Sequence, residues 1–472
     1  MMKQHWRIAG RITAGLLIAV GLLAVVTLTT VDRRPFDEVP ALRSAITQNG
    51  SNSIASIATG PLRAGFGRAR LTPTVGASVD RPEAGEFRSL PLAGYGARQG
   101  RPAEGVRDEL WAKAIAFAVG GQTGVVVSAD ALIVPREVTA LVMRRLETGR
   151  HLRREQVFFS ATHTHGGPGG WGEGPVGEAF AGPFQPAIRE WLAQQLAQAV
   201  ETALDDLSPA ALGTGSFTAP DFIRNRLRGG DGTVDAEFVL VFVRQDDGDS
   251  AVLGSYGAHA TVVGAEVMEF HGDYPAAWQR ALEETSVGLA VFLAGGMGSH
   301  SPRAPVGGLD GAQQMGRALA DETGRQLALI AVTNVVRFGV AGVTLPLPAL
   351  QVRLTGRVRL RPWVARKLLP VGEEVLLQGF HFNDAVWLST PCDFSGELAL
   401  ELKEDFRERG MAVNVTSFNG DYVGYVVPAR YYELPGYEPR TMSFYGPQLP
   451  DYFMAVLRRL GEEPAAGGSV TR

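Results

Sequence analysis

Two of the eight histidines share one segment, Ser160-Ala161-Thr162-His163-Thr164-His165-Gly166-Gly167-Pro168-Gly169-Gly170, directly after the apolar run Val157–Phe159. Along extended chain, alternate residues face one side, which sets these two about 6.5–7 Å apart at the backbone. That is the layout of a metal site at a strand end, where one imidazole ligates and its neighbour assists. The glycines behind them allow a ligand or a second loop to approach closely. A pair of surface histidines leaving a strand is the competing reading of His-x-His, and Gly166–Gly170 weigh against it. His259 follows a strand-like stretch among small residues and reads either as a ligand or as a satisfied core histidine. Asp393 follows Leu388-Ser389-Thr390-Pro391-Cys392 and reads as a ligand or as an N-cap for a helix starting near Ser395. Tyrosines, only ten in the chain, concentrate at Tyr422, Tyr425, Tyr431, Tyr432, Tyr437 and Tyr445. Phenols donate to developing oxyanions and occasionally ligate metals. The turn Gly295–Arg303 offers Ser301 as a nucleophile or substrate-binding hydroxyl, but it is not the G-x-S-x-G elbow of serine hydrolases. H-E-x-x-H, Walker A and dinucleotide motifs are missing from the sequence.

Positioning such groups requires a scaffold of strands and helices. Short β-branched runs recur (AIAFAV, VVVSAD, VFFSAT, FVLVFV, AVFLAGG, AVWLST, VNVTSF), with helical stretches between them over 185–207, 309–329 and 395–409. In the first of these helices Ile188, Trp191, Leu192 and Leu196 share a face. The alternation predicts an α/β fold with mixed β-sheets packed with helices in a single large catalytic domain. The sheets are expected to be mixed because 338–360 is strand-like without intervening helices. The expected limits are a basic N-terminus over 1–11, a transmembrane signal anchor over 12–31, a linker over 32–63, the catalytic domain over 64–462 and a disordered tail over 463–472. The anchor rests on an uncharged run of about 20 residues after Lys3, Arg7 and Arg11, about 30 Å as a helix. Its exit, Thr29-Thr30-Val31-Asp32, is a poor cleavage site, so the expectation is a membrane-anchored protein with its catalytic domain exported to the periplasmic or extracellular side. The chain holds 45 Lys and Arg against 49 Asp and Glu among 472 residues, a formal charge of −4. That balance argues against nucleic-acid binding, which needs a basic footprint. A single cysteine excludes an intrachain disulfide and a multi-cysteine zinc site.

Together these blocks resemble the neutral/alkaline ceramidase family, zinc-dependent amidases that split ceramide into sphingosine and a fatty acid. Ala161–Gly170 carries the resemblance, close to the family's THTHSGPGG. Asn225-Arg226, the His259 segment, Ser301-Pro302, Pro391–Phe394, Asn419–Tyr425 and Tyr445-Gly446-Pro447 follow in the family's order. Upstream, Leu71-Thr72-Pro73, Gly94-Tyr95, Gly105–Asp108 and Ser128–Asp130 match its opening pattern, so about 64 to 460 is covered. The resemblance implies one Zn2+ held by His163, His259, Asp393 and Tyr425, with an open position for water. His165 would shuttle the proton. Arg226, Tyr432 and Tyr445 would hold an oxyanion or substrate polar groups. Ser301, Gly167 and Tyr437 would contact the lipid substrate, ceramide or another N-acyl amide. Asp393 stands where the family has Glu, and the serine turn reads GMGSHSPR, with His300 and Arg303 beside Ser301. Both departures leave open a different acyl amide or ester as substrate, or a degenerate lipid-binding protein without catalysis.

Overall fold

The structure is a computed structural model that describes residues 2–49, 54–369 and 371–462. Its centre is a 12-stranded sheet. In chain order the strands are β1 (Ile54–Arg70), β2 (Trp111–Val119), β3 (Gln122–Ala129), β4 (Val157–Ala161), β5 (Ser208–Thr218), β6 (Glu237–Gln245), β7 (Ser250–Tyr256), β8 (Leu289–Ala294), β9 (Val335–Pro346), β10 (Glu374–Phe382), β11 (Ala385–Ser389) and β12 (Ala412–Thr416). Their order is β8-β7-β6-β5-β1-β9-β10-β11-β12, with β2, β3 and β4 branching from the long β1. The sheet is mixed, as the sequence predicts: β9 runs antiparallel to both neighbours, whereas β3–β4, β7–β8 and β11–β12 are parallel.

A parallel pair needs a crossover, and each of these three has a helix for it. The helices are α1 (Met2–Thr27), α2 (Pro40–Asn49), α3 (Arg136–Arg150), α4 (Gly174–Ala181), α5 (Pro186–Asp205), α6 (Asp273–Thr285), α7 (Gly308–Leu327), α8 (Pro362–Ala365), α9 (Gly396–Arg407) and α10 (Gln448–Gly461). Helix α3 links β3 to β4, α6 links β7 to β8, and α9 links β11 to β12. Strand alternation sorts the side chains between two faces. Val125 and Val127 of β3 join the layer under α3 and α5, while Val126 faces the other way. On that inner face the sheet closes on itself around Phe117, Phe158, Phe338, Phe380 and Phe382, whose rings meet at 4.9–6.4 Å. Ligand sites in open α/β sheets lie beyond the carboxyl ends of parallel strands, and three such pairs bring six strand ends together here.

Two expectations at the N-terminus are corrected. The stretch 32–63 is not a linker: Leu42 and Ala45 of α2 are buried in the core layer that also holds Leu377 and Leu457, and β1 already begins at Ile54. The spacing of Leu42, Ala45 and Ile46 gives α2 one apolar face, and burial of that face decides its structure. A bilayer-spanning helix over 12–31 is not supported, and among the described residues no helix is long and apolar enough to cross a membrane. Helix α1 ends at Thr27, and Leu28–Thr30 become a strand paired antiparallel with Val358–Leu360. That leaves about 16 uncharged helical residues where spanning takes about 20. The expected tail, 463–472, lies outside the described residues.

Candidate metal centre

The candidate ligands leave the strand ends as the topology requires. Strand β4 delivers His163 and His165, β7 delivers His259, and β11 delivers Asp393. The other member of each pair supplies a supporting group: Leu132 beyond β3, Met297 beyond β8, and Phe418 and Tyr422 beyond β12. The chain does not stay extended through His163-Thr164-His165. His163 has φ +60°, a left-handed conformation that costs a non-glycine residue of order 1–3 kcal/mol. The turn replaces the expected same-face alternation, yet both rings reach one centre, perpendicular with centroids 5.1 Å apart. Gly94 makes room for His165, since a Cβ there would sit 2.6 Å from the imidazole.

The ring nitrogens of His163, His165 and His259 lie within 4.8 Å of one another. His163 Nδ1 stands 2.7 Å from the Leu132 carbonyl, which fixes its proton there and leaves a lone pair on Nε2. His259 Nδ1 likewise faces the Met297 carbonyl, at 3.4 Å. The two Nε2 atoms then confront each other at 2.9 Å. Two lone pairs at that separation repel unless a cation lies between them. Asp393 Oδ1, buried without a hydrogen-bond donor, stands 3.6 Å from His163 Nε2. Two facing imidazole lone pairs and an orphaned carboxylate oxygen suit a divalent ion with nitrogen and oxygen ligands.

Asp393 is not a helix cap, because Ser395 occupies the N-cap of α9. It lies in a two-residue strand paired parallel with Tyr425-Val426, in register with Tyr425 itself. Its second oxygen, Oδ2, accepts a 2.7 Å bond from Tyr422 Oη. Arg226 donates to Tyr425 Oη at 3.1 Å and pairs with Glu438 at 2.8 Å, so a cation stands behind the phenol. Behind His163, the Phe418 ring stacks at 4.1 Å and 11°, itself held at φ +65°.

Burial sets the protonation states. It pulls His163 down to about 3, with Arg226 adding to the shift against the Leu132 carbonyl. His259 and His165 are lowered well below the ordinary imidazole range by burial and by the neighbouring cationic and imidazole groups. All three therefore stay neutral, as ligands must. Burial pushes the Asp393 carboxyl up to about 7, against the Tyr422 hydrogen bond and Arg226. A cation would draw it back toward the charged form.

The remaining predicted residues divide. Tyr437 packs edge-on against Tyr425 at 5.7 Å and borders the site. Ser301 lies in a short strand opposite Arg224, and no described contact joins its hydroxyl to the imidazoles. Tyr432 lies under Arg353, 3.7 Å from the guanidinium carbon, in the company of Arg33, Arg359 and Glu433 and away from the ligands. Tyr445 is buried on the Asp421 and Arg136 side. Gly167 serves packing: its carbonyl accepts from Ala93 N, and a Cβ would meet Ala131 Cα at 2.9 Å. Sequence reasoning gave no role to Leu132, Phe418 or Tyr422. Only Tyr422 carried a signal, its place in the tyrosine cluster.

Beside His163 opens a cavity of about 110 Å³ whose walls include Ile133, Trp171, Phe180, Leu369 and Phe444. The description "neutral/alkaline non-lysosomal ceramidase, N-terminal" fits residues 79–229, which include His163, His165 and Arg226. That stretch, about a third of the chain, is similar to the N-terminal part of the neutral/alkaline ceramidases. A 132-residue segment is 29% identical to a neutral ceramidase of Mycobacterium tuberculosis, covering 27% of this chain and 21% of that protein. A 170-residue segment is 27% identical to a neutral ceramidase of Pseudomonas aeruginosa, covering 35% and 23%. The crystal structure of neutral ceramidase from Pseudomonas aeruginosa superposes with a TM-score of 0.68 at 19% identity, over 85% of this chain and 73% of that one. A ceramidase complexed with C2 gives 0.67 at 17% identity, over 85% and 74%. The two structural likenesses establish a shared fold. The aligned segments span less than a quarter of the two sequence relatives.

Proposed function

We propose that this chain is a zinc-dependent hydrolase that cleaves the amide bond of ceramide-like N-acyl lipids. One observation carries the reading: the Nε2 atoms of His163 and His259 face each other at 2.9 Å, with an orphaned Asp393 oxygen beside them, next to a mainly apolar cavity. His163, His259 and Asp393 would hold the ion, with Tyr425 or His165 completing the set. When bound, a zinc ion would polarise the amide carbonyl and acidify a water molecule. His165 has no hydrogen-bond partner on either nitrogen, which leaves it available to move a proton between nucleophile and leaving amine. Arg226 orients the Tyr425 phenol and places positive charge where an oxyanion develops. The cavity walls of Ile133, Trp171, Phe180, Leu369 and Phe444 favour an acyl chain, and Arg136, Glu173 and Arg189 line the same cavity. Asp393 in place of the family's Glu, and the unattached position of Ser301, favour a second reading in which the same centre cleaves another acyl amide or ester.

Localisation is part of the proposal: an exported domain held at a membrane through α1. Its support is a row of exposed apolar side chains from Leu16 to Val26 after the basic Lys3, Arg7 and Arg11. The test of function is hydrolysis of fluorescent N-acyl-sphingosine, and of N-acyl amides lacking the sphingoid base, by purified protein with and without chelator. Chelator-sensitive turnover restored by zinc supports the reading. Turnover indifferent to chelator contradicts it.

A further inference from the structure

The segment that receives the end of α1 has an unusual surface. From Gln351 to Gly372 the chain carries six cations, Arg353, Arg357, Arg359, Arg361, Arg366 and Lys367, and no acid. Arg353 and Arg359 turn inward, while Arg357, Arg361, Arg366 and Lys367 are exposed. Three large apolar residues stand out among them: Leu354 at 54% exposure, Trp363 at 48% and Leu368 at 44%. The Lys367 ammonium lies over the Trp363 ring, 5.4 Å from its centre, and Arg366 is paired with Glu373.

This patch is tied to the base of α1. Arg361 N donates to the Thr27 carbonyl at 2.8 Å, and its guanidinium donates to the Val25 carbonyl at 3.1 and 3.3 Å. A cation thus closes the negative end of the helix, and Leu28–Thr30 pair with Val358–Leu360. The exposed apolar helix therefore ends directly against the basic-aromatic patch.

We infer that α8 and its flanks, Leu354 to Leu368, form a collar that seats the domain on an anionic lipid surface at the base of α1. Trp363 takes the position of an interfacial aromatic. Leu354 and Leu368 enter the headgroup boundary. Arg357, Lys367 and the Glu373-paired Arg366 meet lipid phosphates, with their stems lying along apolar surface, while Arg361 holds the end of α1. The charge selects an anionic bilayer, and continuity with α1 selects lipid over a soluble partner. The inference stands on this surface alone and holds whether or not the metal centre cleaves ceramide.

Cys392 is fully buried, so Leu368→Cys in the full chain introduces a single accessible thiol for a polarity-sensitive fluorophore. Leu329→Cys, at an exposed apolar residue elsewhere, serves as the comparison. With phosphatidylcholine vesicles containing phosphatidylglycerol, the probe at 368 shifts to the blue and the probe at 329 does not. High salt or pure phosphatidylcholine reduces the shift. Arg366→Glu with Lys367→Glu weakens vesicle binding roughly tenfold while the melting temperature and circular dichroism of the protein are unchanged. Vesicle binding through α1 with no response at 368, equal responses at both positions, or indifference to phosphatidylglycerol overturns the collar.

Discussion

The imidazole end and the phenol end of the site use the same device, polar residues placed just past apolar strands, with different outcomes. At the imidazole end His163 and His259 converge within 2.9 Å. At the phenol end Tyr422 and Tyr425 reach Asp393 and Arg226, while Tyr432 lies under Arg353. The difference lies in what holds each segment. His163, His259 and Asp393 follow the ends of parallel strands, Tyr425 is held by its own short parallel pair with Asp393, and Tyr432 is placed by packing against Arg353. Residue type nominates a candidate, and topology decides whether it arrives.

The comparison breaks most severely at the imidazoles. His163→Ala and His259→Ala should each reduce metal content and amide hydrolysis to background, read by elemental analysis and turnover. His165→Ala should retain the ion and lose turnover by orders of magnitude. Loss of the ion as well would make His165 a ligand and shift Tyr425 out of that role. At the phenol end, Tyr422→Phe removes the donor to Asp393 and should weaken metal affinity roughly 10–100-fold, as loss of a ligand's hydrogen-bond partner does. Tyr432→Phe should leave affinity unchanged in the same competition titration.

Acid sharpens the comparison through stability. The three imidazoles have folded pKa values below the ordinary 6.5, so the unfolded chain binds more protons beneath that pH. The metal-free protein therefore loses stability as pH falls below about 6.5, and the part due to His163 is fully lost only below about 3. His271 and His300, also lowered by burial, add to this slope, while Asp393, raised to about 7, and Asp273, raised to about 6, contribute the opposite slope between 3.8 and those values. Thermal melts across pH should fall toward acid, and His163→Ala should flatten the slope. The smallest effect is expected from Asp393→Glu, which lengthens the carboxylate by one methylene and should change metal affinity without changing the fold.

Much of this was legible in the chain. The apolar runs marked the strands, the helical face of Ile188, Trp191, Leu192 and Leu196 was found on α5, and the His-x-His segment marked the centre. Other features depend on contacts distant in sequence. The left-handed turn at His163 is enforced by the Leu132 carbonyl and the Phe418 ring, neither of which marks itself locally. Thr29 and Thr30 carry no sign that Arg359 and Val358 wait to pair with them, so the uncharged run read as longer than the helix it forms. Leu42 and Ala45 lie in a polar stretch, and their burial appears only once the sheet is assembled.

The decisive experiment is a stoichiometric metal determination on purified full-length chain alongside its His163→Ala variant. One divalent ion per chain in the parent protein and none in the variant is the predicted result. A parent protein that holds no ion yet cleaves N-acyl amides at full rate would contradict it.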